Sequence, residues 1–370
     1  MDEEITIGES VDWCQEGIAK AGVRGEILIV DSSTDRTSEI ALSKGARVLK
    51  TPRRGVGRAF IDAMGYVRGK YVLVGDADLT YDFRELSEFV KKFHEGYEYI
   101  MGTRMHGMIE RGAMPRLHQY FGTPVTTWIL NYIYGSHFSD IHTGMRGITL
   151  DAWKRIGPES QSWEWASELV LKAVRYELRT TEIPIRFFKD RPGRLSHHKR
   201  IGWFEPWRAG WINLRAMFLF APDFFLMKPG IFGMATGMLL VILSAGHWIP
   251  WLSVHSMLLG MTLAVCGYSA IQMAILVKVF YNFIPQKTAV YAALITYNRG
   301  VAIAAVLGLT GVAILARFVV QYFEKHMTLS FISKPAVIGL YLLLLSFQTF
   351  TFTLLFQMIA NRTILNSAKS

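Results

Sequence analysis

Apolar positions follow two regimes along the chain. Up to about residue 228, short β-branched runs alternate with amphipathic stretches, and beyond it apolar residues continue for whole helix lengths. In the first regime, Glu26-Ile-Leu-Ile-Val-Asp31 and Tyr71-Val-Leu-Val-Gly-Asp76 are apolar runs that each end in aspartate. Helical patterns at 35–44 and 57–68 and a short strand at 46–50 lie between them, and further strands are expected at 98–102 and 182–188. Strands alternating with helices predict a parallel α/β sheet. Ligands of such sheets bind at the carboxyl ends of the strands, where both aspartates fall. In the second regime, segments at about 230–249, 255–284, 300–323 and 335–360 are long and apolar enough to cross a bilayer as helices.

Charge sharpens the division. Of 40 Lys+Arg and 30 Asp+Glu in 370 residues, the stretch 229–370 holds only eight basic side chains and one acid, Glu324. That excludes a purely soluble enzyme and a disordered chain. Cys14 and Cys266 lie in different halves, which argues against a disulfide scaffold. Lys287 and Arg299 in the middle connection, with Arg362 and Lys369 in the tail, place both ends of the membrane half in the cytoplasm by positive-inside counting. Trp248 and Trp251 then mark the far interface, and Lys278 and Arg317 lie near span ends. With no charge at mid-span, this half reads as an anchor or a lipid-facing platform. The chain opens on charged, helix-like residues, so the first domain is expected to be cytosolic. Between the halves, Trp207, Trp211, Leu214 and Phe218 recur at helical spacing among basic residues, the mark of an amphipathic helix lying in a membrane interface. A helix packed on its own domain is the alternative. Seven of the ten net positive charges sit in the membrane half, which makes nucleic acid a poor partner.

The chemistry-bearing cluster is Gly75-Asp76-Ala77-Asp78 at the end of a strand. Two carboxylates two residues apart can turn toward one hard cation, Mg²⁺ or Mn²⁺, which commonly bridges protein oxygens to a diphosphate. Asp31-Ser-Ser-Thr-Asp-Arg-Thr37 is a polar turn that also caps the next helix. Pro52-Arg-Arg-Gly55-Val-Gly57-Arg-Ala59 puts arginines and glycines at a helix start, suited to an anionic phosphate. Glu164 and Glu168 lie one helical turn apart and are candidates for a general base, or for orienting an arginine or capping helix packing. His106, His118, His137 and His142 lack metal-ligand spacing.

Taken in order, Glu3-Glu-x-Thr-Ile-Gly8, Val30–Thr37, Arg54-Gly-x-Gly-x-Ala59, Gly75-Asp-Ala-Asp-Leu79, Gly102-Thr-Arg104 and Thr143-Gly-Met-Arg146 resemble the family-2 glycosyltransferases. Within them the chain is most similar to the dolichol-phosphate mannose synthase and bacterial polyprenyl-phosphate glycosyltransferase branch. The resemblance implies a GT-A (Rossmann-like α/β) domain over 1–199, interfacial amphipathic helices over 200–228 and a four-helix transmembrane domain over 229–370. It also implies a nucleotide-sugar donor, a polyprenyl-phosphate acceptor and Mg²⁺ or Mn²⁺, with transfer of one hexose at the cytoplasmic membrane face. Carried over, Asp76 and Asp78 hold the metal, with Glu3, Asp31, Arg54, Gly55, Ala77, Arg191 and Arg194 at the donor. Arg104, Arg146 and Arg116 meet the acceptor phosphate, and Asp76, Asp78 and Arg104 form the catalytic set. Some members of the family self-associate, so a homo-oligomer is open.

The chain departs from the family at Thr80, where some members carry a Gln, at His197, near a common Lys, and in an Asp31 loop one residue shorter than usual. The family's opening strand is not found before Glu3, and the natural protein is expected to start upstream. A phosphate acceptor is already an anion near neutral pH, with a second pKa of about 6, so no strong general base is required. Two other functions compete with this reading. A processive polysaccharide synthase would carry a Gln-x-x-Arg-Trp string, which does not occur here. A non-catalytic membrane scaffold would have no use for an intact Asp76 and Asp78.

Overall fold

The structure, a computed structural model, describes residues 2–162, 164–194, 211, 215, 221–246, 249, 251–282, 284–324 and 333–367. The chain divides into two compact units, Met1–Phe220 and Ala221–Ser370. Of the expected belt at 200–228, only Trp211, Arg215 and residues 221–228 fall within the described residues.

The first unit opens with helix α1 (Ile7–Ala21), closed by Gly22 in the left-handed region. Strand β1 (Leu28–Asp31), helix α2 (Thr37–Ser43), strand β2 (Arg47–Lys50), helix α3 (Val56–Met64) and strand β3 (Tyr71–Val74) follow. A 3-10 turn at Phe83–Glu85 leads into α4 (Leu86–His94) and the long strand β4 (Tyr99–Ile109). A π-helical turn at His118–Gly122 runs into α5 (Thr123–Tyr134). Strand β5 (Arg146–Thr149), helices α6 (Leu150–Ile156) and α7 (Trp165–Arg175), and strand β6 (Thr180–Phe187) complete it.

The expected parallel sheet is corrected in two respects. β1 and β2 pair in parallel as a two-stranded sheet, separate from a four-stranded sheet in the order β3-β5-β4-β6. The larger sheet is mixed, because β5 runs antiparallel between β3 and β4. Four residues containing an arginine and a glycine do not announce a central strand. Burial explains how β5 survives: it is enclosed from Arg146 to Ile148. Beside it, Val72, Val74, Tyr99, Leu130, Trp153 and Leu169 form the main core. α1 covers the small sheet through Ile7 and Val11, which pack with Ala41 and Ala46.

The second unit contains α8 (Lys228–Ala245), α9 (Val254–Tyr281), α10 (Pro285–Leu294), α11 (Tyr297–Glu324) and α12 (Lys334–Ser367). Four helical stretches, Asp223–Ala245, Val254–Tyr281, Tyr297–Glu324 and Lys334–Arg362, are long and apolar enough to cross a membrane. Small residues let α8 and α9 approach: a Cβ at Gly237 would stand 2.4 Å from the Gly260 carbonyl oxygen. Lys278 pairs with Asp223, so the charge expected near a span end has an internal partner.

Candidate active site

β3 ends at Val74, and the next residues turn sharply across its carboxyl end. Leu79 takes a positive φ of 62°, a conformation with a steric cost for a branched side chain. The turn is fixed by Thr80, whose backbone N–H and hydroxyl both donate to Asp78 Oδ1, at 3.0 and 2.5 Å. Asp78 Oδ2 is left facing Arg194 Nη2 at 3.1 Å. Thus the residue that departs from the family pattern orients the second aspartate.

Asp76, two residues earlier on the same turn, is exposed. A Cβ at Gly144 would stand 2.8 Å from Asp76 Oδ2 and 3.1 Å from the Tyr81 hydroxyl, so only glycine fits there. The Gly144 N–H donates to that hydroxyl at 2.7 Å, which ties the 143–146 segment over the aspartates. Desolvation by the surrounding protein, and then the nearby Asp78 charge, push the Asp76 carboxyl upward, although the residue stays exposed to solvent.

Arg194 gathers the remaining acids. Its Nε and Nη2 donate to the two carboxylate oxygens of Glu3 at 2.7 and 2.8 Å, and Nη1 donates to Asp190 at 2.6 Å. Glu3, Asp78 and Asp190 thus converge on one guanidinium, with Asp76 close behind. A neighbouring cavity of about 320 Å³ is lined by Glu3, Glu4, Thr34, Asp35, Gly193 and Arg194, among others. Arg191 lies elsewhere, paired with Glu9 of α1 at 2.5 Å.

Among the expected donor residues, Asp31 is enclosed at the end of β1. It accepts from the Ser33 N–H at 2.9 Å, from Lys50 at 3.0 Å, and from the Ser33 and Ser38 hydroxyls. Burial pushes its carboxyl up, but these donors outweigh it and hold the group near 2. Gly55 has φ +112°, and a Cβ there would stand 2.3 Å from the Gln161 carbonyl oxygen. Arg54 is half exposed, 3.7 Å from Asp62. Behind this loop, Glu168 accepts from the backbone of Glu159 and Ser160 and pairs with Lys172 at 2.7 Å in the interior. Of the three options for this acid, the structure shows packing: Glu168 holds the 159–161 segment against Gly55 and Gly57.

The three arginines expected at an acceptor phosphate differ in their surroundings. Arg104 is 7% exposed and grips Asp140 through Nε at 2.6 Å and Nη2 at 2.8 Å, while its Nη1 makes no hydrogen bond among the described residues. Arg146 is 1% exposed. It donates to the carbonyls of Ile141, Thr143 and Ala166 and to the Tyr99 hydroxyl. This side chain has no face left for a phosphate, and its position in the acceptor set is corrected on that ground. Arg116 is exposed before the π-helical turn. Asp140 and Tyr81 escaped the sequence reading: a lone loop aspartate and a tyrosine after the carboxylate pair carry no local signal of partnership.

The carboxylate pair fits a divalent cation by its donors. Both are hard oxygen ligands, and two protein carboxylates suffice for an ion that keeps phosphate and water in the rest of its shell. Among the described residues, no group of three or more His, Cys, Asp or Glu forms a closed metal site.

Comparison with known proteins places these features. Residues 22–197 match the family model described as Glycosyl transferase family 2. Residues 281–360 match the Glycosyltransferase family 2 C-terminal transmembrane region. The low-salt glycan biosynthesis hexosyltransferase Agl6 of Haloferax volcanii is 37% identical over 246 residues, 66% of this chain and 57% of that protein. The chain therefore spans little more than half the length of that relative. A dolichyl-phosphate hexose transferase of the same organism is 30% identical over 200 residues, covering 53% of this chain and 82% of its own. A crystal structure of Mycobacterium tuberculosis glucosyl-3-phosphoglycerate synthase with Mn²⁺, UDP and glucosyl-3-phosphoglycerate covers 60% of this chain and 77% of its own. It has 18% identity and a TM-score of 0.46.

Proposed function

The chain belongs to glycosyltransferase family 2, with the family's C-terminal membrane region, and from that premise we propose that it moves one hexose from a UDP- or GDP-sugar to a polyprenyl phosphate at the cytoplasmic membrane face. The observation that carries the reading is the pair Asp76 and Asp78 at the end of β3, facing Arg194 and roofed by Gly144. The Haloferax dolichyl-phosphate hexose transferase supports the class of acceptor.

Asp76 and Asp78 would hold Mg²⁺ or Mn²⁺, which when bound stabilises negative charge on a departing diphosphate. Thr80 holds Asp78 in place for this. The cavity beside Glu3, Thr34 and Asp35 suits the nucleoside portion of the donor. Arg194 neutralises the acids of the cleft and can turn to the diphosphate of a bound donor. Arg104, fixed by Asp140 and with Nη1 uncommitted among the described residues, orients the acceptor phosphate. An oxygen of that phosphate forms the new bond to the anomeric carbon as the bond to the nucleoside diphosphate breaks, so no proton has to be removed from the nucleophile. This agrees with the commitment of Glu168 to packing.

Asp78→Ala, assayed with radiolabelled UDP-glucose and GDP-mannose on membranes containing polyprenyl phosphate, tests the reading. Lipid labelling by the wild type and its loss in the variant are expected. Undiminished labelling in Asp78→Ala would overturn the role of the carboxylate pair, and no labelling by the wild type with either donor would overturn the proposed reaction.

A further inference from the structure

The helix from the π-helical turn through α5 is amphipathic in the wrong sense for a domain surface. Its buried positions are Thr123, Thr127 and Leu130, at 5%, 3% and 0% exposure. Its outer face carries Leu117, Tyr120, Phe121, Val125, Trp128 and Tyr132, and all but Val125 are more than half exposed. Positions 117, 121, 125, 128 and 132 recur at helical spacing and form one stripe, along which the Trp128 and Tyr132 rings stack at 5.6 Å. A helix turned to water carries polar groups on that side, and a contiguous exposed apolar face marks a binding surface.

Three observations identify what covers it. The residues are those of a membrane interface, with Trp and Tyr beside Phe, Leu and Val. Between Glu110 and Asp140 the sequence has no acid, while Arg116 at the start of the helix and Arg111 in the turn before it stand exposed, complementary to anionic headgroups. The same chain carries four helices able to span a bilayer, so a lipid surface is always within reach of this one. We propose that the outer face of residues 117–132 is a membrane-contact surface, lying in the headgroup layer with Phe121, Val125 and Trp128 among the acyl chains. This contact is separate from the spanning helices and from the basic belt expected at 200–228, and it is independent of which donor or acceptor the enzyme uses. Because β4 carries Arg104 and is joined to this helix by the short connection 110–115, the contact would tether the strand that bears the proposed acceptor arginine.

The test uses the full chain with Cys14→Ala and Cys266→Ser, reconstituted in vesicles of phosphatidylcholine and phosphatidylglycerol. Single spin labels are attached through Phe121→Cys, Val125→Cys, Trp128→Cys and, as a control, Lys154→Cys on α6, all at exposed positions. Power saturation compares access by oxygen, which partitions into lipid, with access by a water-soluble nickel chelate. Labels at 121, 125 and 128 are expected to favour oxygen, with the label at 154 showing the reverse. An aqueous profile at all three positions would overturn the proposal. So would shielding from both reagents: with spin–spin broadening that vanishes on dilution with unlabelled protein it assigns the face to a second copy, and without broadening to another part of this chain. No turnover is involved, so the result stands apart from the proposed reaction.

Discussion

Arg104 and Asp140 form a pair at which stability and catalysis can be separated. Asp140 is 0% exposed and Arg104 7%. Asp140 accepts from Arg104 Nε at 2.6 Å, Nη2 at 2.8 Å and the backbone N–H at 3.1 Å. Removing one partner of such a pair leaves an uncompensated buried charge, at about 3–5 kcal/mol. Asp140→Asn keeps the shape and loses the charge, so it falls in that range. At about 2–4 °C per kcal/mol for a domain of this size, its melting temperature should drop by about 6–20 °C. Arg104→Met with Asp140→Leu removes both charges and restores packing. The backbone N–H groups of Arg104 and His142 still lose their acceptor in that double variant, so recovery is partial. The double variant should be less destabilised than the sum of the single changes by about 1–3 kcal/mol. Thermal unfolding in nanodiscs, followed by tryptophan fluorescence, reads the stability, and lipid labelling with the competent donor reads the chemistry. The double variant should fold and fail to label lipid. Wild-type melting of Asp140→Asn would refute the buried-pair argument, and full labelling by the double variant would remove Arg104 from the reaction.

Two further substitutions probe the same cleft. Gly144→Ala puts a methyl group 2.8 Å from Asp76 Oδ2, an overpacking cost of about 1–3 kcal/mol, and Mn²⁺ binding measured by electron paramagnetic resonance should weaken. Unchanged Mn²⁺ affinity would show that the roof over Asp76 is not close-fitting in solution. His142, whose Nε2 lies 2.7 Å from the Thr126 hydroxyl, has its pKa lowered from 6.5 to about 4, chiefly by burial. A base with a lowered folded pKa gives up its contribution as the unfolded chain takes on a proton, so wild-type stability should fall between about pH 6.5 and pH 4, by at most about 3 kcal/mol. His142→Asn should flatten the melting-temperature profile across that window, and parallel profiles for the two proteins would refute the assignment.

Features that depend on local periodicity were legible. The apolar runs at 26–31 and 71–76 contain β1 and β3, and the four long apolar segments correspond to the four candidate spans. What depended on distant partners was not. β5 is stable as a strand because it lies between β3 and β4 and against a core built from other elements, none of which its four residues encode. The two-part sheet was hidden for the same reason, since β1 and β3 look alike in sequence and differ only in which strands pair with them. Within the site, spacing brought out Asp76 and Asp78, and the Thr-Gly-Met-Arg string drew attention to Arg146. Only the fold shows that Arg146 serves carbonyl groups in the interior. The stripe at 117–132 has ordinary helical spacing, and sequence alone does not tell that its threonines point inward.

The segment from Asp140 to Arg146 connects these points. One guanidinium pins its beginning, where Arg104 grips Asp140, and another its remainder, where Arg146 draws in the carbonyls of Ile141 and Thr143. Tyr81 fixes the middle through the Gly144 N–H. A loop held at three places can keep a gap over Asp76 too narrow for any side chain but hydrogen. Buried cations that would be a liability in a simple core therefore have a geometric use here: they hold the loop in place. The two arginines differ in one respect that matters for chemistry. Arg146 has four of its five N–H groups engaged, whereas Arg104, among the described residues, keeps Nη1 uncommitted beside the same loop. Arg104 can thus serve the loop and an acceptor phosphate together, and its bond to Asp140 sets the orientation from which that second contact is made.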